Sequence, residues 1–180
     1  MGQEAILFIE DVQREQESWY RFLDEQEQVL YDAMCSGDLA ETEQALTELL
    51  KELFLPNATM HDHELKLMRF FVGLMKFGQE MNLPMGDGSK EQSALLQTLF
   101  KLRDIHEIRG WLQEQIIHPY MEELKKRRDH QHKHISDAVI EMIKEGYDTE
   151  LTLEDCATRI NYHPHDVSRV FRQETGVNFG

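Results

Sequence analysis

LTLEDCATRINYHPHDVSRVFRQETGVNFG, residues 151–180, is the stretch from which the rest of the chain is read. Its pattern predicts a helix, a tight turn and a second helix. Thr152 stands where an N-cap would, with Asp155 three residues on in the capping-box position. Leu153, Cys156, Ala157 and Ile160 recur at helical spacing and form one apolar stripe. Asn161 tolerates the left-handed conformation that a sharp turn requires. Pro164 then suits the first position of a new helix, which leaves His163 as its N-cap. In that second helix Val167, Val170 and Phe171 fall on one face, and Gly176 supplies the stop. The opposite face carries His165, Asp166, Ser168, Arg169, Arg172 and Gln173. A helix-turn-helix has this layout, and its second helix enters the DNA major groove while the first crosses the backbone.

The same residues carry a family resemblance. The pattern L-x-x-x-A-x-x-I-N-Y-x-P-x-x-V-S-R-V-F-R-x-E-T-G-V-N-F resembles the first of two helix-turn-helix units in AraC/XylS-type transcription regulators. The segment from Ile135 to Gly146, followed by Tyr147, is similar to the opening helix of that domain. The resemblance implies that His165, Ser168 and Arg169 face base edges and that Val167, Val170 and Phe171 fill the core. Arg172, on the same face, and Thr152, at the head of the first helix, complete the expected DNA-contacting set. Asn161 replaces the family's usual Gly, and His163 replaces a usual Ser, which makes a weaker cap. The family continues beyond this point into a connecting helix and a second helix-turn-helix. The 180 residues are therefore expected to hold half of a DNA reader, residues 129–180.

Composition limits the alternatives. With 41% hydrophobic residues in 180, the chain is long enough to bury a real core. The net charge of −15 argues against a general nucleic-acid surface, because Lys and Arg supply most affinity for phosphates. A DNA contact must then be local. Cys35 and Cys156 are far apart in apolar helical settings and read as small buried residues of a reducing, cytoplasmic compartment. No basic leader opens the chain and no run reaches membrane-spanning length, so no membrane contact is expected.

Upstream, residues 16–128 read as a bundle of about five helices, and the state of residues 1–15 is left open. The first stripe is Trp19, Phe22, Leu23, Val29, Leu30, Ala33 and Met34, ended by Ser36-Gly37. Asp38 and Glu41 open a second helix with the face Leu39, Thr42, Ala45, Leu46, Leu49, Leu50 and Leu53. A third helix, from about His61 to Met81, is apolar around most of its circumference and so is expected at the centre of the bundle. The loop Asn82 to Gly88 reads as a turn; Gly86-Asp87-Gly88 lacks the remaining residues of a phosphate or calcium loop. Ser89 caps a fourth helix running to about Leu102. Asp104 and Glu107 open a fifth with Ile105, Ile108, Trp111, Leu112 and Ile116, and Pro119 is expected to kink it. The pattern then runs through Lys125-Lys126-Arg127-Arg128 toward Ile135, where Ile135, Val139, Met142 and Ile143 are expected to pack under the helix-turn-helix.

The upstream region is similar to the helical region of YesN-like regulators, through I-E-D-V, E-Q-x-L-Y-D-A-M-C-S-G-D and W-L-x-E-x-I. The resemblance implies a coupling and homodimerisation module behind a receiver or membrane sensor. Lys125, Lys126, Arg127 and Arg128 are candidate phosphate contacts, set against the plainer reading of a solvated face. His130 and His134 lie one helical turn apart, yet no third ligand is near, and the adjoining basic run opposes a cation. No metal or other cofactor is expected. No nucleophile, base and orienting group come together in a motif, so no catalytic residues and no enzyme activity are expected. The fold expected is all-α. The rival reading is a helical protein-interaction or ligand-binding module whose DNA-binding part is incomplete.

Overall fold

The computed structural model describes residues 2–56, 59–84, 89–146 and 151–179. These residues are helical with no strand, an all-α fold. Eight α-helices are described: α1 Gly2–Ser36, α2 Leu39–Leu53, α3 Met60–Glu80, α4 Ser89–Leu99, α5 Ile105–Leu112, α6 His118–Glu145, α7 Leu153–Ile160 and α8 Pro164–Thr175. A π-helical turn, Gln113–Ile117, separates α5 from α6. The chain forms two compact units, Met1–Leu124 and Lys125–Gly180, and the division falls inside α6.

In the first unit α1 begins at Gly2, well ahead of the start near Gln16 that periodicity indicated. It ends at Gly37, whose φ of 79° only glycine adopts without strain. Asp38 accepts a hydrogen bond from the Glu41 amide and starts α2 at once. Leu23, Leu30 and Met34 of α1, Leu46, Leu49, Leu50 and Leu53 of α2 and Leu67, Phe70, Phe71 and Leu74 of α3 make the core, joined by Leu99, Ile108, Leu112, Ile116, Ile117 and Tyr120. Such contiguous apolar burial is the main force holding a bundle together.

Several expected core positions face outward. Phe22 and Val29 on α1 and Leu39 on α2 are exposed. Helix α3 is amphipathic rather than enclosed, since Leu65, Met68 and Val72 are exposed along one line of it. Cys35 is exposed at the end of α1, while Cys156 is buried as expected. Helix α3 is capped by Thr59, whose side chain accepts from the Asp62 amide while Asp62 returns a bond to the Thr59 amide. The T-x-x-D pattern that carries this box stands plainly in the sequence. Helix α4 stops at Leu99, short of Leu102, and the Gly86-Asp87-Gly88 turn lies outside the described residues.

Ahead of Pro119, where a kink is expected from the sequence, the chain widens into the π-helical turn Gln113–Ile117. Proline has no N–H to give and its ring crowds the carbonyl one turn back. A wider turn relieves both, and the His118 amide bonds back to the Gln113 carbonyl, five residues away. Tyr120 follows, buried, with its hydroxyl donating to the Leu74 carbonyl at 3.4 Å. It lies directly against Gly78: a Cβ there would fall 2.0 Å from the Tyr120 hydroxyl.

Candidate nucleic-acid interface

The second unit is built from the later part of α6 with α7 and α8. Thr152 caps α7 through a complete capping box: its Oγ1 accepts from the Asp155 amide at 3.1 Å, and its own amide donates to Asp155 Oδ2 at 3.0 Å. The Thr152 hydroxyl also donates to Asp155 Oδ2 at 2.6 Å, and this bond first, with the Thr152 amide second, holds the Asp155 carboxyl below the usual carboxylate range. A depressed acid favours the fold above its unfolded value. This contribution is present above about pH 4 and lost as pH falls further.

Helix α7 ends at Asn161, which is left-handed at φ 58° and ψ 44°. The Tyr162 amide donates to the Ala157 carbonyl at 2.9 Å and the Asn161 amide to the Thr158 carbonyl at 3.2 Å, the double closure of a Schellman turn. Asn serves here because its short polar side chain tolerates this region better than most. The turn is anchored from outside by Gln131 of α6, whose Nε2 donates to the Tyr162 hydroxyl at 2.9 Å. His163 then caps α8, its Nδ1 accepting from the His165 amide at 3.2 Å, and Pro164 takes the first helical position. Gly176, at φ 73°, closes α8.

One face of α8 is fixed by burial. Val167, Val170 and Phe171 pack with Cys156 and Ala157 of α7 and with Ile135 and Val139 of α6, and Phe171 meets Phe179 edge-on with ring centroids 5.8 Å apart. Leu153 and Ile160 are half-buried against the same core. Met142 is half-buried too, but Ile143 points outward, and Ile140 takes the place expected of it.

The other face of α8 is polar and open. His165, Ser168, Arg169 and Arg172, with Gln173 and Asn178, surround a shallow concavity. His165, Arg169 and Arg172 are exposed and Ser168 is half-buried. Asp166 Oδ1 lies 3.7 Å from Arg169 Nη2, one turn along the same helix. Thr152 is not part of this group, and its hydroxyl is engaged in the α7 cap. Of the basic run, Lys125, Lys126 and Arg127 are exposed and Arg128 is half-buried, all on α6.

Charge is divided unevenly between the units. The second, residues 125–180, holds nine Lys and Arg against ten Asp and Glu, a net −1, so −14 of the total −15 belongs to residues 1–124. The acidity that weighs against nucleic-acid binding therefore lies almost wholly outside the unit that carries α8. Among the described residues no three His, Cys, Asp or Glu side chains group as a metal site, and no helix is long and apolar enough to cross a membrane.

A helix, a tight turn and a second helix with a polar open face define a helix-turn-helix class of unit. Over 175 residues, 97% of this chain, the sequence is 26% identical to YtdP of Bacillus subtilis (strain 168), described as an uncharacterized HTH-type transcriptional regulator. The chain spans 22% of that protein's length. No protein-family model matches the chain, and no solved structure matches it.

Proposed function

We propose that this chain is part of a DNA-binding transcription regulator of the AraC/XylS type, YesN-like in its upstream region. Helix α8 reads base edges in the major groove through His165, Ser168, Arg169 and Arg172. The first unit serves as a homodimerising module that couples an upstream receiver or membrane sensor to DNA reading, on the cytoplasmic side. One observation carries the reading: α8 turns Val167, Val170 and Phe171 into the core and presents the four polar residues together on its open side. The similarity to a helix-turn-helix regulator over nearly the whole chain supports it. Arg is the side chain best able to pair with both acceptors of a guanine edge, which gives Arg169 the leading part in specificity. Lys125, Lys126, Arg127 and Arg128 serve as phosphate contacts that position the unit without reading sequence.

Fluorescence anisotropy on the parent regulator's own promoter DNA tests the assignment of roles. Replacing Lys125 and Lys126 by Gln should weaken binding equally on all sequences and flatten the salt dependence, by roughly one unit of slope for each phosphate no longer neutralised. An unchanged salt slope removes the basic run from the interface.

A further inference from the structure

In the first unit the ends of α2 and α4 and the starts of α3 and α5 meet around a pocket of about 230 Å³ that the DNA reading does not use. Its floor is Leu67, Leu99 and Ile108, each at most 4% exposed. Its walls are the half-buried rings of Phe54, His63 and Phe100. The His63 ring is pinned, lying 5.1 Å from the Phe54 ring and donating from Nε2 to the Leu55 carbonyl at 3.2 Å. An apolar cavity of about 150 Å³ is already enough to take up benzene.

The mouth has the opposite character. Glu64 of α3 and Arg103, the residue before the Asp104 cap of α5, stand there with Arg103 Nη1 3.9 Å from Glu64 Oε1. That separation is beyond hydrogen-bond reach, and the two side chains are 47% and 63% exposed. So loose a surface pair contributes little to the fold and holds neither group in place. The other contact of Arg103 is a long one, 4.0 Å to Met60 Sδ. Among the described residues neither charged head is hydrogen-bonded to nitrogen or oxygen. Both are open to a guest: N–H donors on one, carboxylate lone pairs on the other.

A carboxylate with an apolar tail would gain Arg103 and be repelled by Glu64. An amine with the same tail would meet the converse. A neutral hydrocarbon would fill the floor and leave both heads unused. A zwitterion with an apolar side chain engages all three parts, and it leaves neither Arg103 nor Glu64 without a counter-charge. The pair is loose enough to part around such a head. We propose that this pocket binds a free apolar α-amino acid of about the size of phenylalanine, its carboxylate on Arg103, its ammonium on Glu64 and its side chain against Leu67, Leu99 and Ile108.

The test uses the full chain with ¹³C at the methionine methyl groups and follows the Met60 signal, at the pocket mouth, during titration with L-phenylalanine, glycine or hydrocinnamate. Phenylalanine should saturate the signal with a dissociation constant on the order of 0.1 to 1 mM, as about a dozen non-hydrogen atoms allow. Glycine, a head group without the side chain, should leave it unmoved over the same range. Hydrocinnamate, which lacks the ammonium, should bind at least about tenfold more weakly. Arg103→Gln should weaken phenylalanine binding about tenfold. Glu64→Gln should weaken phenylalanine yet strengthen hydrocinnamate, because the carboxylate that repels the anion is gone. A merely hydrophobic pocket would take both ligands alike and ignore both substitutions. No saturation by phenylalanine, an equal response to glycine, equal affinity for hydrocinnamate, or affinities unchanged in both variants would each overturn the proposal. Both substituted side chains are exposed, so far-UV circular dichroism should match the wild type. Should a variant lose its fold, the comparison of the three ligands on the wild-type chain decides alone.

Discussion

Individual side chains in this protein divide by what surrounds them more than by their type. Phe171 is the clearest case: it lies in the core between α6, α7 and α8 and is only 8% exposed. Phe171→Ala should cost roughly 3 to 5 kcal/mol, because truncation of a buried aromatic leaves a cavity that the second unit can close only in part. Thermal or chemical denaturation followed by circular dichroism measures it, and an unchanged midpoint would contradict the placement. Glu27 makes the opposite point. Burial raises its carboxyl from 4.5 to about 7, so between those values the folded chain binds more protons than the unfolded one. A raised acid contributes stability that is present below pH 4.5 and lost as pH rises through about 7. Relative to Glu27→Gln, the wild-type chain should lose at most about 3 kcal/mol over that window, read from urea titrations at several pH values. Parallel pH profiles for the two proteins would contradict it. In the sequence Glu27 is an acid set within the apolar stripe of α1, four residues after Leu23 and three before Leu30. Leu23 and Leu30 turn it inward, Tyr31 meets it one turn along α1, and Gly73 and Arg69 arriving from α3 complete its surroundings.

At the scale of elements, local chemistry was legible wherever it acts over a few residues. The cap at Thr152, the left-handed Asn161, the His163-Pro164 start and the Gly176 stop all follow from residue types at fixed offsets, and the structure has each of them. The turn gives a sharp prediction. Asn161→Gly should be close to neutral, whereas Asn161→Val should cost about 1 to 2 kcal/mol, because a branched side chain is strained at φ 58°. Equal stability of the two variants would remove the strain argument. What periodicity left out was the edge of each stripe. Phe22, Val29, Leu39 and Ile143 have helical spacing with buried neighbours but no facing element, and the sequence of one helix does not say where its partner ends. Pro119 shows the same limit. Its chemistry demanded a local adjustment, and the π-helical turn that supplies it comes with Ile116, Ile117 and Tyr120 packed into the core. Gly78 is a further case, since the need for glycine is set by Tyr120 from a distant part of the chain. Gly78→Ala should lower the melting temperature markedly by displacing the Tyr120 ring, and an unaltered melting temperature would show that the ring has room to move.

For the whole molecule, the division of charge sets how the DNA proposal should behave. Residues 1–124 carry nearly all the net negative charge, and these 180 residues present one α8 in each chain. By itself the chain should bind DNA weakly, and nanomolar, sequence-specific binding at physiological salt in a gel-shift titration would refute that expectation. The proposed coupling role assigns transmission to the segment from Asp104 to Gly146, and Lys125–Arg128 lie within α6. Inserting Gly-Ser-Gly after Arg128 in the parent regulator should abolish the response to signal while each unit still folds, because a flexible insert transmits little orientation. Regulated transcription that survives the insertion would leave the first unit with dimerisation alone. The central claim, that α8 reads bases, is tested most directly by selecting binding sites from random DNA with the parent regulator and with its Arg169→Ala form. The account predicts one enriched site for the parent and the same site relaxed at a single guanine for the variant, with a loss of about 1 to 3 kcal/mol on the original site. Identical sites from the two proteins, or no enrichment from either, would contradict it.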